Sequence, residues 1–174
     1  MDLERRLKGI IRDVPDFPKK GIIFKDITPL LADAGAFEAT LEALSAPHRP
    51  NPPDLVAGVE SRGFIFGAAV AARLGAGFVP IRKPGKLPSA SLHETYELEY
   101  GTDRLEIHED AVRPGRRVLL VDDLLATGGT ALAASRLIRR LQGELAGISF
   151  VIELEFLSGR KRLAGLPVSS LVRY

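Results

Sequence analysis

The stretch that decides the fold is VLLVDDLLATGGT, residues 118–130. Residues 118–121 are uninterruptedly apolar, as a strand buried on both faces requires. Asp122 and Asp123 close that run, and a Thr-Gly-Gly-Thr turn, Thr127, Gly128, Gly129 and Thr130, leads out of it. The next segment, GTALAASRLIRRLQG, places Ala134, Leu137, Ile138 and Leu141 on one helical face. The reading is therefore strand, acidic loop, helix. In a parallel α/β sheet, ligands bind beyond the carboxyl ends of the strands, where loops feed helix N-termini. A helix starting near Gly129 and Thr130 aims its free N–H groups and its dipole at the loop, which suits an anion such as a phosphate monoester. Gly128 and Gly129 permit close backbone approach, and Thr127 and Thr130 add hydroxyl donors. Two acids beside an anion site remain to be explained, since acid repels phosphate.

Working outward, the same alternation repeats. LVAGV reads as strand, FIFGAAVAARLG as helix, GFVPI as strand and ISFVIEL as strand, with a terminal LPVSSLV. Strands alternating with helices predict a parallel sheet covered by helices. Residues 82–115 break the rhythm. They open with the polar KPGKLP and hold two alternating runs, ETYELEY and RLEIHED, which predict a β-hairpin projecting from the sheet. Upstream, Leu3, Leu7, Ile10 and Ile11 fall at helical spacing until Pro15 and Pro18 stop the pattern. FPKKGIIFKDITPLL reads as a structured loop with a short extended piece at residues 22–24, and GAFEATLEALSA as a helix presenting Phe37, Leu41 and Leu44.

Composition narrows the function. A chain of 174 residues, 45% hydrophobic and 26% charged, fits one globular domain over residues 1–174. Lys plus Arg number 24 against 22 for Asp plus Glu, and a net charge of +2 gives no reason to expect nucleic acid or membrane as partner. Without cysteine there are no disulfides, no thiolate catalysis and no cysteine-ligated metal. His48, His93 and His108 lack metal-ligand spacing and read as surface residues, so no protein-built metal site is expected. MDLERRLKGII is not a signal peptide, and no segment approaches the roughly 20 apolar residues that span a bilayer, so a soluble, cytoplasmic chain is expected.

Rival motifs fail at residues 118–130. No Lys follows the glycines as a Walker A loop requires, no G-x-G-x-x-G is present, and GVESRG has the wrong spacing for a nucleophile elbow.

The apolar run, two acids and T-G-G-T resemble the 5-phosphoribosyl-1-pyrophosphate (PRPP) motif of type I phosphoribosyltransferases. The resemblance implies that Asp122 and Asp123 face the ribose hydroxyls while Ala126, Thr127, Gly128, Gly129 and Thr130 cradle the 5-phosphate. Acid and phosphate are then a ribose apart. Hypoxanthine-guanine members carry an Asp where this chain has Ala126, which cannot move a proton. DFPKKGIIFKDITPLL, AGVESRGFIFG, IRKPGKLP, YELEYG, VDDLLATGGT and ELEFLSGR resemble, in order, the adenine branch of the family.

That resemblance implies a type I phosphoribosyltransferase fold with a small N-terminal hood segment and a flexible flap over about residues 87–108. It implies transfer from PRPP to adenine, giving AMP and pyrophosphate, with Mg²⁺ bound mainly through PRPP and pyrophosphate, and a homodimer. Phe24 and Lys25 would border the adenine, Lys25 through its backbone, and Leu157 would close the opposite face. Glu60, Ser61 and Arg62 would form the pyrophosphate-side loop, joined by Arg82, Lys83 and Lys86, some of them across the dimer interface. Glu99 and Tyr100 would lie on the flap, with Glu99 exchanging a proton with the purine imidazole ring. A PRPP-sensing regulator of the same fold, or a xanthine or orotate transferase, remains the alternative.

Overall fold

The structure is a computed structural model that describes residues 2–97 and 101–174. Its centre is a five-stranded, wholly parallel sheet ordered β4-β3-β7-β8-β9, with β3 at Leu55–Val59, β4 at Gly77–Ile81, β7 at Arg117–Leu125, β8 at Glu144–Glu153 and β9 at Val168–Arg173. The unbroken apolar run in β7 has its reason in two cores. Val118 and Leu120 face one, with Leu137 and Ile138 of α5 (Gly129–Arg140). Leu119 and Val121 face the other, with Phe66 and Val70 of α4 (Arg62–Leu74) and Leu41 and Leu44 of α3 (Ala34–Ser45). All four β7 residues are fully buried, as a central strand covered on both faces demands.

From β3 the chain crosses to β4 on one side, while β7 lies on the other. The carboxyl ends of β3 and β7 thus flank the point where strand order reverses, the favoured ligand position in an open parallel sheet.

The expected hairpin is β5 (Ser91–Glu97) paired antiparallel with β6 (Thr102–His108). Its base is bound into the molecule: Arg82 and Glu106 exchange backbone hydrogen bonds of 2.9 and 2.8 Å, and Leu105, Ile107 and Tyr96 enter the core shared with α5.

The amino-terminal region differs in detail from expectation. Helix α1 stops at Ile10 (Leu3–Ile10), capped by Asp2, and the chain at once forms β1 (Arg12–Pro15), which pairs with β2 (Ile23–Asp26). The extended piece expected at residues 22–24 overlaps β2, whereas β1 and the pairing were not expected, because a four-residue strand carries too little alternation to reveal its partner. An Arg12 to Asp26 ion pair at 2.6 Å ties them together, and α2 (Thr28–Ala32) follows where a loop was expected. His48 also departs from the surface reading. It is half-buried, its ring 3.4 Å from the Ser149 hydroxyl, and burial beside Arg117 lowers its pKa. His108 is half-buried as well and accepts from the Ser89 N–H at 3.4 Å, whereas His93 is exposed.

Candidate active site

Two loops build one cleft of about 360 Å³ at the switch point. Glu60, Ser61 and Arg62 reach it from β3, Asp122 to Gly128 and then Thr130 contribute along the end of β7 and its loop, and Lys83 closes one rim. Gly63 decides how close the loops come, since a Cβ there would stand 2.7 Å from Asp122 Oδ1.

The turn at its far end is held backbone against backbone. Gly128 has φ 82°, a left-handed conformation that favours glycine, and it precedes α5 with no side-chain cap. The first N–H groups of α5 are therefore left to a ligand. A Cβ on Gly128 would meet Gly159 O at 2.5 Å, and one on Gly159 would meet Ala126 O at 2.0 Å. Here lies the use of the glycine in ELEFLSGR: it braces the glycine turn from behind. The motif pointed to the base side through Leu157 and gave no sign of this contact.

The acids differ in environment. Asp122 accepts the Asp123 N–H at 2.9 Å, and burial together with the Asp123 charge lifts its pKa well above the ordinary carboxylate range. Burial also raises Asp123, against the pull of Arg62. Arg62 Nε stands 3.0 Å from Asp123 Oδ2 without hydrogen-bond alignment, and this buried oxygen has no hydrogen-bond donor among the described residues. A buried acceptor left open in a cleft costs free energy until a ligand donor reaches it.

Each remaining cation is met by a carboxylate. Arg82 Nε donates to Glu60 Oε2 at 2.7 Å, and Lys86 Nζ donates to Glu60 Oε1. Burial would raise Glu60, but the hydrogen bonds from Lys86 and Arg82 outweigh it and its pKa falls. Lys83 Nζ donates to Asp103 Oδ2 and, at 3.0 Å, to Tyr96 Oη. Of these three cations, only Lys83 borders the cleft itself.

The residues expected around a base stand apart from this cleft. The Phe24 ring lies 5.1 Å from the Arg62 guanidinium carbon and packs edge-on against Phe17 at 5.2 Å. Lys25 spends its charge on Asp13 at 2.6 Å and on the Tyr174 ring at 3.6 Å. Its side chain and the exposed Leu157 border a second groove of about 820 Å³, beside Ile23, Phe156 and Tyr174. Gly129 lies behind the turn, against Tyr96 and the Glu97 carbonyl, rather than in the cleft. Glu99 and Tyr100 lie outside the described residues. Sequence reasoning missed Tyr96 and Asp103, whose alternation along a strand resembles that of any solvent-facing position.

Comparison with known proteins gives this geometry its family. A phosphoribosyl transferase domain model matches residues 31–163. The chain is 57% identical to the adenine phosphoribosyltransferase of Acidobacterium capsulatum over 97% of this chain and 93% of that one. It is 56% identical to the enzyme of the same name from a Thermoanaerobacter strain over the full length of both. The chain belongs to the adenine phosphoribosyltransferase family.

Solved members share the architecture throughout. The crystal structure from Thermoanaerobacter pseudethanolicus superposes with a TM-score of 0.95 at 56% identity, covering 98% of this chain and 99% of that one. The Saccharomyces cerevisiae enzyme, solved with an imino-altritol bisphosphate and adenine, gives 0.91 at 42% identity over 97% and 98% of the two chains. The fold is the type I phosphoribosyltransferase fold, and the family are enzymes that transfer a phosphoribosyl group.

Proposed function

We propose that this chain, as one phosphoribosyltransferase domain over residues 1–174, converts adenine and PRPP to AMP and pyrophosphate. The bond from the anomeric carbon to pyrophosphate breaks, and a nitrogen of the adenine imidazole ring forms the new bond to that carbon. The observation that supports the reading is that one cleft gathers a glycine turn at an uncapped helix N-terminus, two acids, and Arg62 with Lys83. That set suits an anion, a sugar and a second anion.

In this reading the 5-phosphate accepts from the backbone of Ala126, Thr127, Gly128 and Gly129 and from the Thr127 and Thr130 hydroxyls. The ribose hydroxyls donate to Asp122 and Asp123, filling the open Asp123 oxygen. As the bond breaks, positive charge grows on the sugar ring, and the same acids stabilise it. Arg62, Arg82, Lys83 and Lys86 take the pyrophosphate oxygens, Arg62 with bidentate geometry. Phe24 stacks on the adenine, Leu157 closes its other face, and the Lys25 backbone reads its edge. Glu99 accepts the imidazole proton, and Tyr100 contacts the substrate. The flap, about residues 87–108, keeps water from the anomeric carbon while Tyr96, Leu105 and Ile107 stay packed in the core.

Mg²⁺ fits this donor set as a substrate-borne ion. Among the described residues no group of three or more His, Asp or Glu gathers to hold a metal, and Mg²⁺ favours phosphate oxygens and water. Asp122 and Asp123 are the acids within reach of a hydrated ion, which would neutralise part of the leaving group's charge. A homodimer acting in the cytoplasm completes the proposal; no helix among the described residues is long and apolar enough to cross a membrane.

The deciding experiment supplies the purified protein with PRPP, Mg²⁺ and, separately, adenine, hypoxanthine, guanine and orotate. AMP alone is expected. A faster reaction with hypoxanthine overturns the base assignment, and PRPP binding without any product favours a regulator.

A further inference from the structure

Lys83 and Arg62 are the pyrophosphate-side cations that border the cleft, and Lys83 is held by two hairpin residues, Tyr96 and Asp103, to which the proposed reaction gives no role, although the Tyr96 hydroxyl also accepts from Thr130 Oγ1 at 3.4 Å. Tyr96 and Asp103 sit directly opposite each other on β5 and β6. Tyr96 Oη accepts from Lys83 Nζ at 3.0 Å and donates to Asp103 Oδ2 at 3.1 Å, while the same Asp103 oxygen accepts from Lys83. The three groups close a triangle in which every polar atom is partnered. Tyr96 is 8% exposed and packs its ring in the core, so its hydroxyl is a fixed point. Asp103 is held from behind by the Arg104 N–H, which donates to Oδ1 at 2.7 Å. Burial would lower the Lys83 pKa, but its bonds to Asp103 and Tyr96 outweigh that and raise it, so the ammonium is firmly charged.

We propose that Asp103 is a resident counter-ion that holds the Lys83 ammonium at the rim of the empty cleft and yields it to pyrophosphate oxygens, with the Tyr96 hydroxyl keeping the ammonium in place through the exchange. The inference rests on the reading of Lys83 as a pyrophosphate ligand. Its physical basis is competition: a carboxylate and a phosphate oxygen are both strong acceptors for one ammonium, and the resident acceptor lowers the apparent affinity of the arriving one. Because the side chains of Lys83 and Asp103 are 35% and 28% exposed, the pair is a moderate competitor rather than a lock. Such a device favours release of pyrophosphate after the transfer. Asp103 and Tyr96 are positioning residues: they touch Lys83, not the reacting atoms.

The test titrates inorganic pyrophosphate with Mg²⁺ into the full-length protein and follows steady-state kinetics alongside. Asp103→Asn is expected to bind pyrophosphate about two- to fivefold more tightly, the range set by a partly exposed ion pair. It should lower KM for PRPP and also lower kcat as product leaves more slowly, and Asp103→Glu should return both toward wild type. Tyr96→Phe should weaken pyrophosphate binding about threefold, on the order of one hydrogen bond. The gain from Asp103→Asn must vanish in a Lys83→Ala background, because a mere change in the field of the cleft would survive there. Should Asp103→Asn destabilise the hairpin, Asp103→Thr, which suits a strand, carries the same expectation. Unchanged or weaker binding in the Asp103 variants, or a gain that persists without Lys83, overturns the inference while the pyrophosphate reading stands. Wild-type binding by Lys83→Ala overturns both.

Discussion

Arg62 Nε stands 3.0 Å from Asp123 Oδ2, yet that oxygen receives no hydrogen bond from any described residue. Arg62 offsets part of the cost of the buried Asp123 charge and its acceptor is left open, which is what a site that receives a hydroxyl donor requires. Asp123→Asn keeps the volume and removes the charge. Turnover should fall about 100-fold, the scale of losing one preorganised electrostatic contact, while circular dichroism remains that of the parent. A wild-type rate would remove the ribose role.

Asp122 carries a consequence for stability as well as for activity. Its pKa is raised by burial and by Asp123, so the folded chain holds this proton more tightly than the unfolded one does. Its contribution is therefore favourable below the unfolded pKa, near the ordinary 3.8, and is lost as pH rises through the folded value. Above that value the acid pair is a burden on stability. Asp122→Asn, which retains the acceptor for the Asp123 N–H, should raise Tm at pH 7 by about 2–4 °C for each 1 kcal/mol relieved while lowering activity. Thermal melts against pH should show the advantage shrinking toward acid; a lower Tm at pH 7 would mean that the burial is fully compensated.

Gly159→Ala probes the brace behind the glycine turn. The added Cβ would lie 2.0 Å from the Ala126 carbonyl oxygen, so one backbone or the other must move. A loss of about 1–3 kcal/mol, the range for overpacking, should accompany a rise in KM for PRPP larger than the change in KM for adenine. Equal shifts in both would show that the brace does not act on the phosphate end.

Glu153 anchors the carboxyl-terminal edge of the sheet. It accepts from Arg160 and the Ser170 hydroxyl, and Arg160 also donates to the Val168 carbonyl at 2.8 Å. The Arg160 hydrogen bonds are the chief reason that its pKa falls below the ordinary 4.5. A depressed carboxylate contributes stability above its unfolded pKa and loses it as pH falls through the folded one. Glu153→Gln should cost about 1–3 kcal/mol in urea unfolding at pH 7, with the gap to wild type closing as pH falls from the ordinary 4.5 through the lower folded value. A gap independent of pH would assign the loss to packing rather than charge.

The central strands and the two long helices were legible in the sequence because each carries a local pattern strong enough to survive any context: unbroken apolarity in β7, and helical periodicity in α4 and α5. The glycine turn was legible for the same reason, its two glycines lying close after its two acids. The β1 and β2 pair was not, because short strands gain their hydrogen bonds only from each other and leave little trace in either one alone.

The sequence by itself determined the alternating α/β plan, the acid pair and glycine turn, and membership of the adenine branch, since these rest on residues close together in the chain or on motifs in a fixed order. Only the tertiary structure decided which partners meet: Gly159 against Ala126, Arg62 against Asp123, and Tyr96 with Asp103 around Lys83. Those contacts join residues from different elements. Their energies depend on burial and on distances of a few ångströms, and no local pattern in the chain encodes either.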